Sequence, residues 1–479
     1  MNHQDHLSMD EAKFQSQAQR IKAKLIQAKK ADRKFKVFGA QSHKYQLNSP
    51  ISIEQVTAIE QNYSFQLPPC YKTFITQIGN GGSANAHAAG PFYGIYSLQR
   101  SIDELDGFNA PDGVQRACII YPFIPNDYWQ QQLHVIKNND LTIEEYDAEL
   151  ARIYGGILPI ASQGCAYING LVLQGEHTGK VVNLSFDHQL PTFTFEDNFL
   201  DWYERWLDEV ISGKLSNRES GWFGHTVAGS EKQLLEKFFI SDCEEYKYHC
   251  LEALLHQANI SSKTYKILEN QYHLNNADLK RISLQVIANF SYSKARNYLH
   301  EYFDIEPEFV IKLLYWYGKH KINEWIEILH TSTPQFKDAQ AFRYFVYLLE
   351  ESKTNYVQII LPFTTHANSE IRATAFYALG SLNNKTKKTI INYFIAGLTD
   401  SNQQVIYEAL SALKGITDSR LLKYYQAIAN KITQEDKYSN LLYQLNSCLI
   451  YFKLTNETIL NIDTDTYIVK KWFQFWKKY

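Results

Sequence analysis

The run Leu67-Pro68-Pro69-Cys70-Tyr71-Lys72-Thr73-Phe74-Ile75-Thr76-Gln77-Ile78-Gly79-Asn80-Gly81-Gly82 decides how the first half of the chain is read. Proline is tolerated in the first turn of a helix, where its missing N–H would have no partner anyway, so Leu67-Pro68-Pro69 opens one. Tyr71, Phe74, Ile75 and Ile78 then recur at helical spacing and give the helix an apolar face. The glycines of Gly79-Asn80-Gly81-Gly82 accept the positive φ that ends helices. A phosphate loop is not indicated, because no Gly-Lys-Ser/Thr follows and the glycines close a helix instead of opening one.

Upstream of this run, Ser49-Pro50-Ile51-Ser52 leads into a helix through Ile59, with Ser52 as cap and Gln55 completing a capping box. Earlier still, from Met9 to about Lys36, Phe14, Ile21, Leu25 and Ala28 recur at helical spacing in a basic segment. A helix packed on its own neighbour fits that pattern better than a nucleic-acid or lipid contact. Downstream come short β-prone runs at 92–98, 117–121, 157–161, 171–173, 181–186 and 192–195. A polar insert with its own helix, about 143–154, interrupts them. The series closes on Phe199-Leu200-Asp201-Trp202-Tyr203-Glu204-Arg205-Trp206-Leu207, a helix with a heavy aromatic face. Helices, then a meander of strands, then a helix make an α+β domain over 48–213.

The residues Ile53-Glu54, Val56, Ile59-Glu60, Phe65, Leu67-Pro68-Pro69-Cys70-Tyr71-Lys72, Phe74-Ile75 and Gly79-Asn80-Gly81-Gly82 resemble the opening of the SUKH superfamily (the Smi-one/Knr-four family). Leu158-Pro159-Ile160-Ala161, the glycine-bounded strands near 171–175 and 179–182, and the closing aromatic helix fall where that family has them. The resemblance covers roughly residues 50–212, and the insert near 123–156 is longer than the family pattern. It implies partner binding without catalysis. Bacterial members are mostly immunity proteins that bind secreted polymorphic toxins, and fungal members are cell-wall and signalling scaffolds.

Charge is unevenly spread. Residues 1–47 hold 10 Lys+Arg against 4 Asp+Glu, residues 48–213 hold 7 against 20, and residues 214–479 hold 31 against 27. Within 101–149 stand Asp103, Glu104, Asp106, Asp112, Asp127, Asp140, Glu144, Glu145, Asp147 and Glu149, against only Arg116 and Lys137. A surface of that sign steers a basic partner toward it and can imitate a phosphate backbone. These ten acids are the candidate partner-binding residues, and a basic, nuclease-like toxin domain is the partner they suit.

Residues 214–229 read as a linker, and 230–479 as helical and repetitive. Apolar or small residues at positions 0, +4, +5, +7 and +8 recur from Tyr246, Leu279, Val310, Ala341, Ile371, Val405 and Tyr438. A period near thirty residues suggests stacked helix pairs, and the units at Ile371 and Val405 look like HEAT-type repeats. The rival reading is a helical bundle without repeats. The last run, Tyr467 to Tyr479, mixes lysines with aromatics and reads as a helix capping the final repeat in preference to an interfacial membrane helix.

No catalytic constellation surfaces. There is no His-Glu-x-x-His and no Gly-x-Ser-x-Gly, and no Cys/His set has zinc-site spacing; His249, His256, Cys243 and Cys250 read as packing residues. The six cysteines lack any regular spacing and read as reduced thiols. With no apolar leader and no run of about 18 apolar residues, the chain reads as cytoplasmic. The expectation is a cytoplasmic immunity protein, not an enzyme, with no cofactor or metal and no direct nucleic-acid or membrane contact. It would occlude the active site of a cognate toxin. A regulatory scaffold without a toxin, or a helical-repeat nucleic-acid binder, are the alternatives.

Overall fold

The computed structural model describes residues 9–82, 88–109, 112–137, 140–216, 223–331, 333–432 and 440–464. The chain divides into two compact units, Met1–Thr264 and Tyr265–Tyr479. Among the described residues, no helix is long and apolar enough to cross a membrane.

In the first unit the order is α1 (Met9–Ala31), α2 (Ile53–Tyr63), α3 (Pro69–Thr73), α4 (Leu98–Asp103), α5 (Asn126–Gln132), α6 (Ile143–Ile153), β1 (Ile157–Gly164), β2 (Tyr167–Val172), β3 (Val181–Ser185), β4 (Thr192–Phe193) and α7 (Phe199–Ile211). Two further helices, α8 (Glu231–Ile240) and α9 (Glu244–Glu252), belong to the same unit. The capping box expected at Ser52 and Gln55 is present in full, and a second one at Thr142 and Glu145 opens α6. The four strands form one antiparallel sheet in the order β1-β2-β3-β4.

The Leu67–Gly82 run opens as expected, with Pro68 at the cap and Pro69 in the first turn. After Thr73 it widens into a single π-type turn, Phe74–Ile78. Its ending differs from the sequence expectation. Gly79 is extended, at φ 171°, and glycine is needed there for closeness: a Cβ would lie 2.6 Å from Leu47 Cβ and 2.8 Å from the Asn48 carbonyl oxygen. Gly81, at φ 42°, is the residue in the left-handed region, and a Cβ there would strike the Tyr96 carbonyl. Asn80 accepts a hydrogen bond at Oδ1 from the Leu98 N–H, and its own N–H reaches the Asn48 carbonyl. The motif is therefore a bracket joining three chain segments.

Two of the six β-prone runs are not strands. Residues 92–98 make only isolated bridges, Gly82 with Tyr96 and Ile95 with Ala161, because Phe92 and Gly94 both take positive φ and turn the chain. Residues 117–121 form no strand ladder; the Cys118 N–H meets the Gln174 carbonyl and the pairing goes no further. β2, by contrast, starts four residues before the apolar run that announced it.

Side chains alternate across the sheet and feed two separate cores. Leu158, Leu171 and Val181 point into one, with Phe74, Phe199, Tyr203 and Trp206 from the helices. Ile157, Ile168, Val172, Val182, Leu184 and Phe193 point the other way, onto Trp129, Leu133, Leu150, Ile153 and Tyr154 of the insert. The insert thus supplies the layer that covers the second face. On the first face runs a buried amide row: Gln163 Nε2 and Asn169 Nδ2 both donate to Asn183 Oδ1, at 2.6 and 2.9 Å, and Asn183 Nδ2 donates to Thr192 Oγ1 at 3.3 Å.

The basic helix α1 packs on α7. Gln17 donates to Asp201 and Glu204, Arg20 meets Glu204 at 3.2 Å, and Lys24 meets Glu204 and Asp208 at 3.0 and 2.6 Å. Part of the positive amino-terminal charge is therefore spent inside the unit, on acids of the same domain.

The second unit is helical throughout its described length. The helices that carry its apolar pattern are α10 (Ala277–Phe290), α12 (Pro307–Leu313), α13 (Ala339–Ser352), α14 (Ser369–Gly380), α15 (Gln403–Leu413) and α16 (Asn440–Leu449), with α11 (Tyr292–Phe303) between the first two. A helix stands at the register starts Tyr246, Leu279, Val310, Ala341, Ile371 and Val405, while Tyr438 and the 467–479 run lie outside the described residues. Neighbouring pairs touch in series: α12 with α13, α13 with α14, α14 with α15, and α15 with α16. Two charged side chains staple α14 to α15. Arg372 grips Asp400 through two 2.8 Å hydrogen bonds, and the buried Lys387 donates to the Gly380 and Ala412 carbonyls at the two helices' ends.

Candidate partner-binding surface

None of the ten candidate acids is buried. Asp103, Asp106, Asp112, Asp127, Asp140, Glu144 and Glu145 are exposed, and Glu104, Asp147 and Glu149 are half-buried. They divide by what holds them. Glu145 closes the α6 capping box with Thr142, and Asp127 and Glu144 stand in first helical turns, where the positive end of the helix dipole favours an anion. Glu149 pairs with Arg152 at 2.9 Å, and Arg152 reaches on to Gln132, tying α6 to the end of α5. Glu104 pairs with Arg100, which lies over the Tyr96 ring at 3.8 Å, and Asp112 pairs with Arg116. Asp103 accepts a 2.8 Å hydrogen bond from Gln99. Asp106, Asp127, Glu144 and Asp147 meet no cationic side chain among the described residues.

The residues missed by charge counting are aromatic. Tyr121, Phe123, Tyr128 and Tyr146 are large side chains left in solvent on the same stretch, and Ile143, at the head of α6, is 77% exposed. Tyr121 and Tyr128 stand 6.0 Å apart, ring to ring. Tyrosine is a common anchor in protein interfaces, since it offers a broad apolar face with a polar end at small entropic cost. Tyr121-Pro122-Phe123 inside an otherwise polar insert was the available sequence signal. Phe123 also takes φ 59°, uncommon for an aromatic residue, and stacks on His249 at 5.5 Å.

Burial pushes the thiols of Cys70, Cys118 and Cys250 up to about 11, which keeps them protonated at neutral pH. His249 shares a 2.9 Å hydrogen bond with Glu252 and lies between the rings of Phe123 and Phe195. Tyr154 and His188 share a 2.8 Å hydrogen bond, while Trp129 donates to the His188 carbonyl, so the pair ties the turn after β3 to the insert. Among the described residues, no three His, Cys, Asp or Glu side chains stand close enough to hold a metal ion.

Comparison with known proteins adds one informative match. Residues 50–205 fit the model of the SMI1/KNR4 family (SUKH-1). That interval runs from the entry to α2 into α7, and so takes in all four strands, the whole second core and most of the first, whose remainder comes from α1, the segment after it, the end of α7 and Phe223. No curated protein matches the sequence. Among solved structures, an engineered protein determined as a structural-genomics target aligns with 49% of this chain and 100% of its own, at 15% identity and a TM-score of 0.23.

Proposed function

We propose that the chain is a non-catalytic binding protein of the immunity type, which neutralises a cognate bacterial toxin in the cytoplasm by covering the toxin's active site. The observation that carries this reading is the family match over residues 50–205, since immunity proteins make up most of the bacterial SUKH superfamily. The acid-rich surface of the insert supports it. Asp127, Glu144 and Asp147, which meet no cationic side chain among the described residues, stand within two residues of the exposed Tyr128 or Tyr146, a combination that suits a basic partner offering arginine or lysine together with apolar contact. The helical second unit is read as HEAT-type stacked pairs giving a further contact surface.

The test is to co-express the full chain with the product of an adjacent toxin gene and follow association by stopped flow as salt is varied. Electrostatic steering predicts an association rate that drops about tenfold or more between low and physiological salt. The triple variant Asp127→Asn/Glu144→Gln/Asp147→Asn should slow association by a comparable factor and flatten the salt dependence. A rate indifferent to both changes would remove the acidic surface from the reading, and failure of any neighbouring product to bind would remove the immunity role.

A further inference from the structure

The amino-terminal helix α1 packs on the domain with one face and leaves the other in solvent. From Lys22 to Lys36 the chain holds seven cations and one acid. Lys24 is paired with Glu204 and Asp208, and the acid, Asp32, is turned inward, 4% exposed. The Asp32 carboxylate accepts the Lys36 and Val37 N–H groups at 2.7 and 3.1 Å and the Tyr45 hydroxyl at 2.8 Å, and the Tyr45 ring stacks on Trp206 of α7. The turn after α1 is thus held from beneath. Lys22, Lys29, Lys30, Arg33, Lys34 and Lys36 are all exposed, and none meets an acidic side chain among the described residues. The helix dipole accounts for Lys29 and Lys30 in the last turn of α1, and not for the other four. Lys22, Ile26, Lys29 and Lys30 follow the i, i+4, i+7, i+8 spacing of a single helix face. Ile26 is 60% exposed among them. Phe38, at the far side of the turn, is 57% exposed and stands edge-on to Tyr93 at 5.1 Å.

We infer that this surface docks on an anionic membrane surface, its cations against lipid phosphates and Ile26 and Phe38 entering the headgroup region. A cluster of this size adheres to anionic lipid, at about fivefold in affinity for each cation that reaches the headgroups. Five of the six are lysines, flexible point charges that suit a diffuse field better than the forked reading of a base edge. A nucleic acid would satisfy the charges and leave Ile26 and Phe38 unused, whereas apolar side chains set among lysines are what an interfacial surface holds. The sheet sets the orientation. α1 and the segment after it supply Ile21, Ala28, Val37 and Tyr45 to the first core, while α5 and α6 cover the second, on the opposite face. Asp127, Glu144 and Asp147 therefore belong to the layer turned away from the lipid. The expectation of no membrane contact came from reading α1 as a packing helix alone; the structure divides it between packing and display. The inference goes beyond the proposed function and holds whether or not the chain binds a toxin.

The experiment sediments the full chain with vesicles of phosphatidylcholine, either alone or with about a third phosphatidylglycerol. Binding is expected to the anionic vesicles only, and to fall away as salt rises to about 0.5 M. Lys29→Gln/Lys30→Gln/Arg33→Gln should weaken it by about tenfold or more, and Ile26→Ser/Phe38→Ser several-fold with the salt dependence kept. All five positions are exposed, and an unchanged thermal unfolding midpoint checks each variant. Asp127→Asn/Glu144→Gln/Asp147→Asn should bind the vesicles at least as well as the wild type, so that this surface and the toxin-binding reading fail separately. Equal binding to neutral vesicles, or a charge variant that binds as the wild type does, discards the inference. A random duplex oligonucleotide bound more tightly than the vesicles, and unaffected by Ile26→Ser/Phe38→Ser, would assign the surface to nucleic acid instead. Salt-sensitive self-association abolished by the charge variant would assign it to a second copy of the chain, and either result overturns the membrane contact.

Discussion

Arg205 on α7 is almost wholly buried between Glu196 at 2.6 Å and Glu209 at 2.9 Å, with the Phe223 ring 5.3 Å away. Both carboxylates are themselves about nine-tenths covered. Arg205→Met therefore leaves two acids in a poorly solvated place, with Lys214 still 3.2 Å from Glu209, and should destabilise the first unit by about 3–5 kcal/mol in urea titration. A loss under about 1 kcal/mol would mean that Glu196 and Glu209 reach water easily once the arginine is gone. Asn183 poses the same question without charge. It accepts two hydrogen bonds and donates a third in the middle of the sheet, so Asn183→Ala strands the amides of Gln163 and Asn169. About 1–3 kcal/mol is expected for each donor left unmet, again by urea titration. Neither role could be seen in the sequence. An arginine between aromatics and an asparagine in a strand each look like a surface residue until the layers above them are placed.

Among the elements, α14 and α15 show how a helical stack is pinned at both ends. The Arg372 hydrogen bonds hold the Asp400 carboxyl below its usual range, although burial works against them. A carboxyl whose folded pKa is depressed contributes stability above its unfolded value, near 4, and that contribution is lost as pH falls through the folded value. The second unit should accordingly weaken steeply below about pH 4, and Asp400→Asn should flatten that part of the profile while lowering stability at pH 7. Parallel acid-unfolding curves for the two proteins would reveal a wrong assignment, since identical slopes leave Asp400 no part in the acid response. Glu204 gives α1 and α7 the same sign. Burial opposes its ionisation, yet Arg20, Lys24 and Gln17 together hold it low, so the contact weakens on acidification.

For the molecule as a whole, the acid-rich surface stands outside the cores, though Glu145 caps α6 and Glu149, through Arg152, ties α6 to the end of α5. None of the ten acids belongs to either core of the first unit. Neutralising Asp127, Glu144 and Asp147 together should lower stability by no more than about 1–2 kcal/mol, the helix-dipole share of the first two. Differential scanning calorimetry measures it, and a larger loss would make these residues structural. Much of this organisation was legible beforehand. Leu67–Gly82, the Ser52/Gln55 capping box, the insert helix and the aromatic closing helix all signal themselves through local chemistry. Residues 92–98 and 117–121 misled because β-propensity reports a fit to a pleated surface, and a strand exists only where a partner is in reach. β2 was read short because Asn169 and Gly170 interrupt its apolar pattern, yet they sit where an amide row and a close approach need them. Charge counting located the acids, while the tyrosines beside them passed unnoticed because exposure is a tertiary property.

The insert closes one face of the sheet with its inner residues and carries acids and tyrosines on its outer ones. A single segment thus holds two alphabets, one read by the sheet and one by the solvent, and they share almost no letters. Under the proposed function, changing the outer alphabet would alter what the protein recognises without asking the sheet to repack. A chain built this way can follow a changing partner by substitution at the insert's surface alone, with the scaffold beneath left as it was.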